Sequence, residues 1–389
     1  MKILEIETFG RGGLLHYAYN LAAALAERGH ETTLFTSASF ELEGNEKPSE
    51  RLRVVRAVGR LAGRLEGRMP RLVRGLVLKA EAIFDAAALA FRARRLRPDV
   101  IHFHSTNASA LLYLLCLRIT GRPVVVTAHV VTPHEPMRFE KRIFGAVHRL
   151  SELSIAHSEF DRQRLIDELG VAEDRAVVIP HGEYGFFERD AKPASRDEAR
   201  EWLGLRPGDE VALFFGYIRE YKGLDLMLDA WPQVVRERPG ARMVAAGDPV
   251  QLPPERLEEL RRQADRMGVV SRFEYIPFED VQRYFAAADV LVMPYRHISQ
   301  SGVLFLALSL GVPVVATRVG GLAELLEDGR SAVLVEPESV EDLARGLIRV
   351  LGAPPLRERL AEEGRRIAYE HSWESISGRT EGVFERLIG

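Results

Sequence analysis

The sequence predicts an α/β protein of two doubly wound, Rossmann-like domains, each built on a parallel sheet. Three observations carry that prediction. The chain has 389 residues, too many for one hydrophobic core and enough for two domains of ordinary size. Short apolar runs alternate with amphipathic helical patterns along both halves, the βαβ plan of parallel sheets. A polar, aperiodic segment with Pro193, RDAKPASRD (189–197), lies between the halves and reads as a linker.

In the first half, residues 1–188, the expected strands are KILEIE (2–7), TTLFT (32–36), LRVVRAV (52–58), DVIHFH (99–104), PVVVTAH (123–129), LSIAHS (153–158) and AVVIP (176–180). A helix is expected from Leu14 to Arg28, stopped by Gly29. In the second half, residues 198–370, the strands are EVALFFG (210–216), ARMVAAG (241–247), RFEYIP (272–277), DVLVMP (289–294), VPVVAT (312–317) and SAVLVE (331–336). Gly223 to Trp231 reads as a helix ending before Pro232. After Val350 the pattern is helical, and the last piece, 371–389, is expected to return to the first domain.

The composition, 46% hydrophobic and 28% charged, is that of a folded soluble chain. The longest apolar run, Ala108 to Leu117, is too short to span a bilayer. A strand pattern starts at Lys2 rather than a signal peptide, and Cys116 is the single cysteine, so a reducing, cytoplasmic location is expected. The net charge of −3 is uneven. Residues 1–185 hold 26 basic and 22 acidic residues, and the remainder 27 and 34. Between Arg51 and Arg97 there are 13 basic residues and 3 acids. That stretch predicts an anionic partner such as a membrane surface, a polyanion or a phosphorylated lipid acceptor. Within it, Arg60 to Ala80 has an amphipathic pattern that Pro70 should split into two pieces. It suits either an anionic bilayer or an ordinary helix covering the first domain.

In open α/β sheets, ligands bind beyond the carboxyl ends of the strands. Strand one runs into Thr8-Phe9-Gly10-Arg11-Gly12-Gly13 and a helix, where Gly12 and Gly13 let backbone amides approach phosphate or sugar. The pattern is not Gly-x-Gly-x-x-Gly. Strand two ends in Thr36-Ser37 without an acidic residue for a ribose, which argues against a dehydrogenase. The first strand of the second half is followed by Gly216, Arg219, Lys222 and Gly223, two cations placed to clamp a diphosphate. Ile276-Pro277 ends another strand. Ser301, Gly302 and Val303 open a wholly apolar, hence buried, helix whose first amides need an acceptor. A phosphate or a local Ser301 cap would serve. His104 and His129 each end a strand of the first half, as structural groups or as groups facing a ligand.

Taken together, these residues resemble the retaining glycosyltransferases of family 4, which have the GT-B fold. The resemblance covers nearly the whole chain: GGLLHYAYNLAAALAERGHETTLFT (12–36), PDVIHFHS (98–105), AHSEFDRQRL (156–165), VIPHG (178–182), FFGYIREYKGLDLMLDA (214–230), ADVLVMPY (288–295) and GVPVVATRVGGLAELLEDGRSAVLVEP (311–337). It implies an acceptor-binding first domain and a nucleotide-sugar-binding second domain facing a central cleft. Lys222 matches the family's diphosphate lysine, and Arg219 stands in for an arginine whose usual place holds Tyr217. His129 matches the histidine that approaches a hydroxyl of the reacting sugar. Donor contacts are expected at Gly216, Ile276, Pro277, Ser301, Gly302 and Val303, with no metal and no cofactor beyond the UDP- or GDP-type donor. One departure is plain. Where the family carries Glu, seven residues, Glu, this chain has Ile298 and Leu306 in one register and Ser299 and Ala307 in the other. The alternative reading is a catalytically silent nucleotide-sugar-binding protein of the same fold; an epimerase or phosphorylase matches the motifs less well. The resemblance implies no nucleic-acid partner. The acceptor is a hydroxyl, lipid-linked if the basic stretch meets the inner face of a membrane.

Overall fold

Near-continuous runs such as Ile3-Leu4 and Val124-Val125-Val126 are what strands buried on both faces require, and parallel sheets flanked by helices bury them so. The computed structural model describes residues 1–44, 49–59, 71–104, 108–131, 140–184 and 194–389. The chain divides into two compact units, Met1–Gly182 with Ser372–Gly389, and Glu183–His371.

The first unit holds β1 (Lys2–Ile6), β2 (Glu31–Ser37), β3 (Leu52–Val58), β4 (Val100–Phe103), β5 (Val124–Ala128), β6 (Leu153–Ala156) and β7 (Ala176–Val178). They form one parallel sheet in the order β3-β2-β1-β4-β5-β6-β7. Its helices include α1 (Gly12–Glu27), α2 (Arg71–Leu96), α3 (Ala108–Leu117), α4 (Glu140–Leu150) and α5 (Glu159–Leu169). Helix α5 shows local sequence control at both ends. The Ser158 side chain accepts from the Asp161 amide, and Gly170, at φ +68, turns the chain out.

The second unit holds β8 (Glu210–Phe215), β9 (Ala241–Ala246), β10 (Val270–Arg272), β11 (Val290–Met293), β12 (Val314–Thr317) and β13 (Val333–Val335). This sheet is also parallel, in the order β10-β9-β8-β11-β12-β13. Its helices are α6 (Arg196–Trp202), α7 (Leu224–Glu237), α8 (Pro254–Arg266), α9 (Phe278–Ala287), α10 (Gly302–Ser309), α11 (Gly320–Leu325), α12 (Val340–Leu351) and α13 (Pro354–Glu370). The last helix, α14 (Trp373–Ile388), belongs to the first unit. There Trp373, Ile376, Val383 and Phe384 share a core with Tyr17, Leu21 and Leu25 of α1. Glu381 adds bonds to Arg28 and His30.

Two expectations are changed, at Pro232 and at 272–277, and two more lie largely outside the described residues. Helix α7 runs through Pro232; burying Trp231 and Val234 on either side outweighs the roughly 3 kcal/mol an interior proline costs. Of the expected linker, 189–193 lies outside the described residues, and Arg196 and Asp197 already belong to α6. Ser195 and Glu198 form a capping box there. The strand expected at 272–277 is instead β10, ending at Arg272. Its neighbour β9 stops at Ala246, leaving no ladder partner for Phe273 to Pro277. Of the basic amphipathic stretch, 60–70 with Pro70 lies outside the described residues, and α2 begins at Arg71. Its outward stripe is apolar: Leu76, Ile83, Phe84 and Phe91 are exposed, Phe84 at 72%.

Candidate active site

Each sheet reverses its strand order once, at β1/β4 in the first unit and at β8/β11 in the second. Such switch points leave a crevice beyond the strand ends where ligands bind. In the second unit the loops after β8 and β11 are knit together there. The Arg296 amide donates to the Tyr221 carbonyl at 2.8 Å. A Cβ on Gly223 (φ +68) would lie 2.1 Å from the Pro294 carbonyl oxygen, so only glycine fits.

Lys222 ends the short turn between Arg219 and Gly223, and the fold buries it to 6% exposure. Its ammonium sits 5.1 Å from the Tyr295 ring centroid. A Cβ on Gly216 would lie 3.1 Å from Lys222 Nζ and 3.0 Å from Val303 Cγ2. The structure therefore brings Gly216, Lys222 and Val303 to one place. Burial lowers the Lys222 pKa; Tyr221 opposes this and Arg219 reinforces it. Neither Lys222 nor Arg219 forms an ion pair among the described residues. Arg219 Nε is buried without a hydrogen-bond partner, and its guanidinium lies 5.8 Å from the Tyr217 ring centroid. Two cations at a strand terminus, one of them buried, form a receptor for an anion.

The N-terminus of α10 faces the same need. Ser301 occupies the N-cap position with extended backbone but makes no side-chain cap bond, which removes the local-cap alternative. Gly302 and Val303 remain partly exposed at the head of an otherwise buried helix. Tyr184 packs on Gly302, where a Cβ would lie 2.6 Å from its hydroxyl. Beside them Ser299 Oγ and Gln300 Oε1 are buried without partners, at the places where the family pattern would put carboxylates or next to them. Gly321 approaches so closely that a Cβ would meet the Ser299 carbonyl at 2.1 Å and Gln300 Nε2 at 2.7 Å. Ile276 packs against the core cluster that Val303 also touches. Pro277 precedes α9 as its N-cap residue.

In the first unit, Gly12 starts α1 at φ +71, and its amide donates to Glu41 Oε2 at 2.6 Å. Gly13 follows in the first turn of the helix. The Gly10 amide donates to Glu7 Oε2 at 2.9 Å. Glu7 is itself buried, and burial raises its pKa against three hydrogen bonds that lower it. Carboxylates thus hold amides of this loop, a setting that suits a hydroxyl better than a phosphate.

His104 and His129 come together with histidines that sequence reasoning did not single out. His104 Nε2 lies 2.6 Å and His102 Nδ1 2.9 Å from the same oxygen of Glu5, all three side chains fully buried. His129 Nε2 is 3.5 Å from His104 Nδ1, and His129 Nδ1 is 3.1 Å from His157 Nε2. His157 Nδ1 donates to the Ile179 carbonyl at 3.0 Å, and His181 Nδ1 to that of Gly182 at 2.8 Å. The Tyr17 ring stands edge-on to His104, His129 and His181. His129 alone of the five stacked rings keeps partial exposure. The available signal was an acid in the middle of an apolar first strand, with a histidine at or just beyond the ends of β4, β5, β6 and β7.

The chain was compared with known proteins. Residues 11–182 match the model of glycosyltransferase family 4, and 209–353 that of glycosyl transferases group 1. A D-inositol 3-phosphate glycosyltransferase of Actinosynnema mirum is 30% identical over 392 residues, covering 93% of this chain and 89% of the relative. The enzyme of the same name from Geodermatophilus obscurus is also 30% identical, covering 93% and 82%. Among solved structures, Anabaena HepE in complex with UDP-glucose superposes with a TM-score of 0.79 at 21% identity over the whole of both chains. Sucrose-phosphate synthase from Thermosynechococcus elongatus does so at 0.77 and 20% identity, over 100% of this chain and 99% of that one. The structural matches establish the fold, and the sequence matches reach across both units. The protein belongs to glycosyltransferase family 4, with the GT-B fold.

Proposed function

We propose that the protein transfers a hexose from a UDP- or GDP-type nucleotide sugar to a hydroxyl acceptor with retention of anomeric configuration. The observation that carries this reading is Lys222, a buried cation without an ion pair among the described residues, set against Gly216 and Val303 at the switch point of the second sheet. Lys222, Arg219 and the Gly302 and Val303 amides receive the diphosphate. The bond from the anomeric carbon to phosphate oxygen breaks while the acceptor oxygen bonds to that carbon on the same face. The acceptor proton passes to the departing phosphate oxygen. Protein cations meet the charge of the leaving group, so the reading requires no metal. Ser299 Oγ and Gln300 Oε1, buried and unpartnered, take the hydroxyl contacts that the family's glutamates make. His129 meets a hydroxyl of the reacting sugar. UDP-glucose in the HepE structure favours UDP among the two bases, and the loop at Gly12 and Gly13 receives the acceptor.

Thermal shifts with UDP- and GDP-sugars test the donor. A true donor at ~100 times its dissociation constant should add about 2.7 kcal/mol of stability. The product's anomeric coupling then tests retention. No shift with any nucleotide sugar, or an inverted product, sinks the corresponding part. The lack of carboxylates at 298, 299, 306 and 307 motivates a second reading, a silent nucleotide-sugar-binding protein. Donor binding without turnover over an acceptor panel would select it.

We place the protein at the cytoplasmic face of a membrane, making polysaccharide or glycolipid. Among the described residues, no helix is long and apolar enough to cross a bilayer. On α2, the exposed Leu76, Ile83, Phe84 and Phe91 are flanked by Lys79, Arg94 and Arg95. The helix's acids, Glu81 and Asp85, are buried, and Asp85 accepts from the Gly59 amide. An outward face that is apolar and cationic suits an anionic surface. Co-sedimentation with phosphatidylglycerol vesicles should be strong at low salt and lost on Phe84→Asp or Phe91→Asp. Negligible binding in all conditions would leave a soluble acceptor.

A further inference from the structure

The histidines of the first unit form a chain whose protons can be counted. A carbonyl only accepts, so His157 Nδ1, at 3.0 Å from the Ile179 oxygen, carries a hydrogen. In a neutral ring that leaves a lone pair on His157 Nε2, and His129 Nδ1 must donate across the 3.1 Å contact. At the other end, burial alone would raise the Glu5 pKa, but His102 and His104 outweigh it and hold it at about 2. Ionised Glu5 only accepts, so His104 Nε2 carries the hydrogen at 2.6 Å, and neutral His104 keeps a lone pair on Nδ1. Two lone pairs then face each other, His104 Nδ1 and His129 Nε2, and this contact is the longest of the chain at 3.5 Å.

We propose that Glu5, His104 and His157 fix His129 in its Nδ1–H tautomer and leave room for one shared proton between His104 Nδ1 and His129 Nε2. The array carries a charge of −1 with its rings neutral, and a proton taken from solvent into the gap brings it to zero. That proton is shared, so the titration belongs to the pair. The other titratable groups facing the pair are His102, beside Glu5; Tyr17 from α1; and His181 after β7. Burial raises the Tyr17 pKa, so the phenol stays neutral. Burial also lowers the pKa values of His104, His129 and His157, which keeps the gap empty at neutral pH. Glu5, His104 and His157 are positioning residues, and His129 alone is partly exposed.

Glu5, His102 and His104 also have atoms close enough to suggest a metal ion. His104 Nε2 makes a hydrogen bond to Glu5 at 2.6 Å, whereas His102 Nδ1, at 2.9 Å from the same oxygen, makes none. Two tetrahedral ligands each about 2.05 Å from zinc would lie about 3.3 Å apart.

The His157 and His129 tautomers stand on geometry, and that of His104 on geometry with an ionised Glu5; the functional half rests on His129 meeting the reacting sugar, as proposed above. Nitrogen-15 spectra of histidine-labelled wild-type protein at pH 7 should show His129 and His157 protonated at Nδ1 and His104 at Nε2. On acidification neither His104 nor His129 should take up a proton while the unit stays folded. An Nε2–H tautomer at His129, protonation of His104 or His129 near pH 6.5 in the folded protein, or a stoichiometric divalent metal in the purified protein overturns the array. In kinetics, Glu5→Gln, which removes the charge while keeping an acceptor oxygen, should lower kcat at pH 7 several-fold at unchanged donor KM. His157→Leu should lower kcat about tenfold at unchanged donor KM, and His157→Gln, with an amide oxygen near the place of Nε2, should restore most of it. A wild-type profile in both Glu5→Gln and His157→Leu overturns the positioning role. Wild-type transfer by His129→Ala would remove the placement of His129 at the sugar, while the spectra still judge the array.

Discussion

Lys222→Ala should lower kcat by on the order of a hundredfold or more while the fold holds its stability or gains some. The two halves of this expectation come from one fact. Lys222 is buried among Gly216, Tyr295 and Val303 without an ion pair among the described residues, and burial lowers its pKa. A buried, unpaired ammonium destabilises the empty protein, so removing it should relieve that cost. With a diphosphate bound, the same ammonium stabilises charge developing on the leaving group. Lys222→Met, which keeps the packing and drops the charge, should separate these effects most cleanly. Arg219→Ala should show a similar loss of rate, since Arg219 Nε also lacks a partner. The measurement is turnover at saturating donor beside thermal melting. Wild-type turnover in Lys222→Ala and Arg219→Ala would remove the diphosphate assignment, and a large fall in melting temperature for Lys222→Met would mean the lysine is structural.

Acid should unfold the first unit well before carboxylate protonation becomes general. His16 and His104 are held at about 4, His148 at about 4 and His157 at about 3, in each case chiefly by burial. His129 is shifted the same way. All five lie in the first unit. Above pH 6.5 these rings are neutral whether the chain is folded or not. Below it, the unfolded chain binds protons that the folded one excludes, so stability falls with pH until the folded values are reached. Each ring costs roughly 1 kcal/mol per pH unit in that window. Five together reach several kcal/mol by pH 5.5, a large part of the 5–15 kcal/mol typical of a domain. Glu7, whose pKa burial raises, works in the opposite direction, one carboxyl against five rings. The fluorescence of Trp373 reports on the first unit and that of Trp202 and Trp231 on the second. In tryptophan-to-phenylalanine variants, the urea midpoint read by Trp373 should drop sharply between pH 7 and 5. A midpoint flat across that range would contradict the burial of neutral histidines.

Most of the architecture was legible because strand period and apolar content are local properties. Every strand from β1 to β13 falls on or within a residue of a run read from the sequence, except β10. That run, RFEYIP, has strand composition, yet a strand exists only where a neighbour supplies a ladder, and β9 ends too soon. Pro232 erred the other way. Its local preference is to stop a helix, and the packing of Trp231 and Val234 overrules it.

By itself the sequence determined the two parallel-sheet domains, the family, and the cation-bearing loop after β8, because these depend on motifs contiguous along the chain. Tertiary structure decided which of those residues meet. Only the fold shows that Lys222 is buried against Gly216 and Val303, that Ser301 leaves the head of α10 uncapped, and that carboxylates hold the Gly10 and Gly12 amides. Above all, Glu5, His104, His129 and His157 come from four strands or strand ends spread over 153 residues of sequence. Each is an ordinary residue in its own segment, and only the lateral order of β1, β4, β5 and β6 sets them side by side. Proton positions depend on distances of a few ångströms between rings, and a linear pattern carries no such distances.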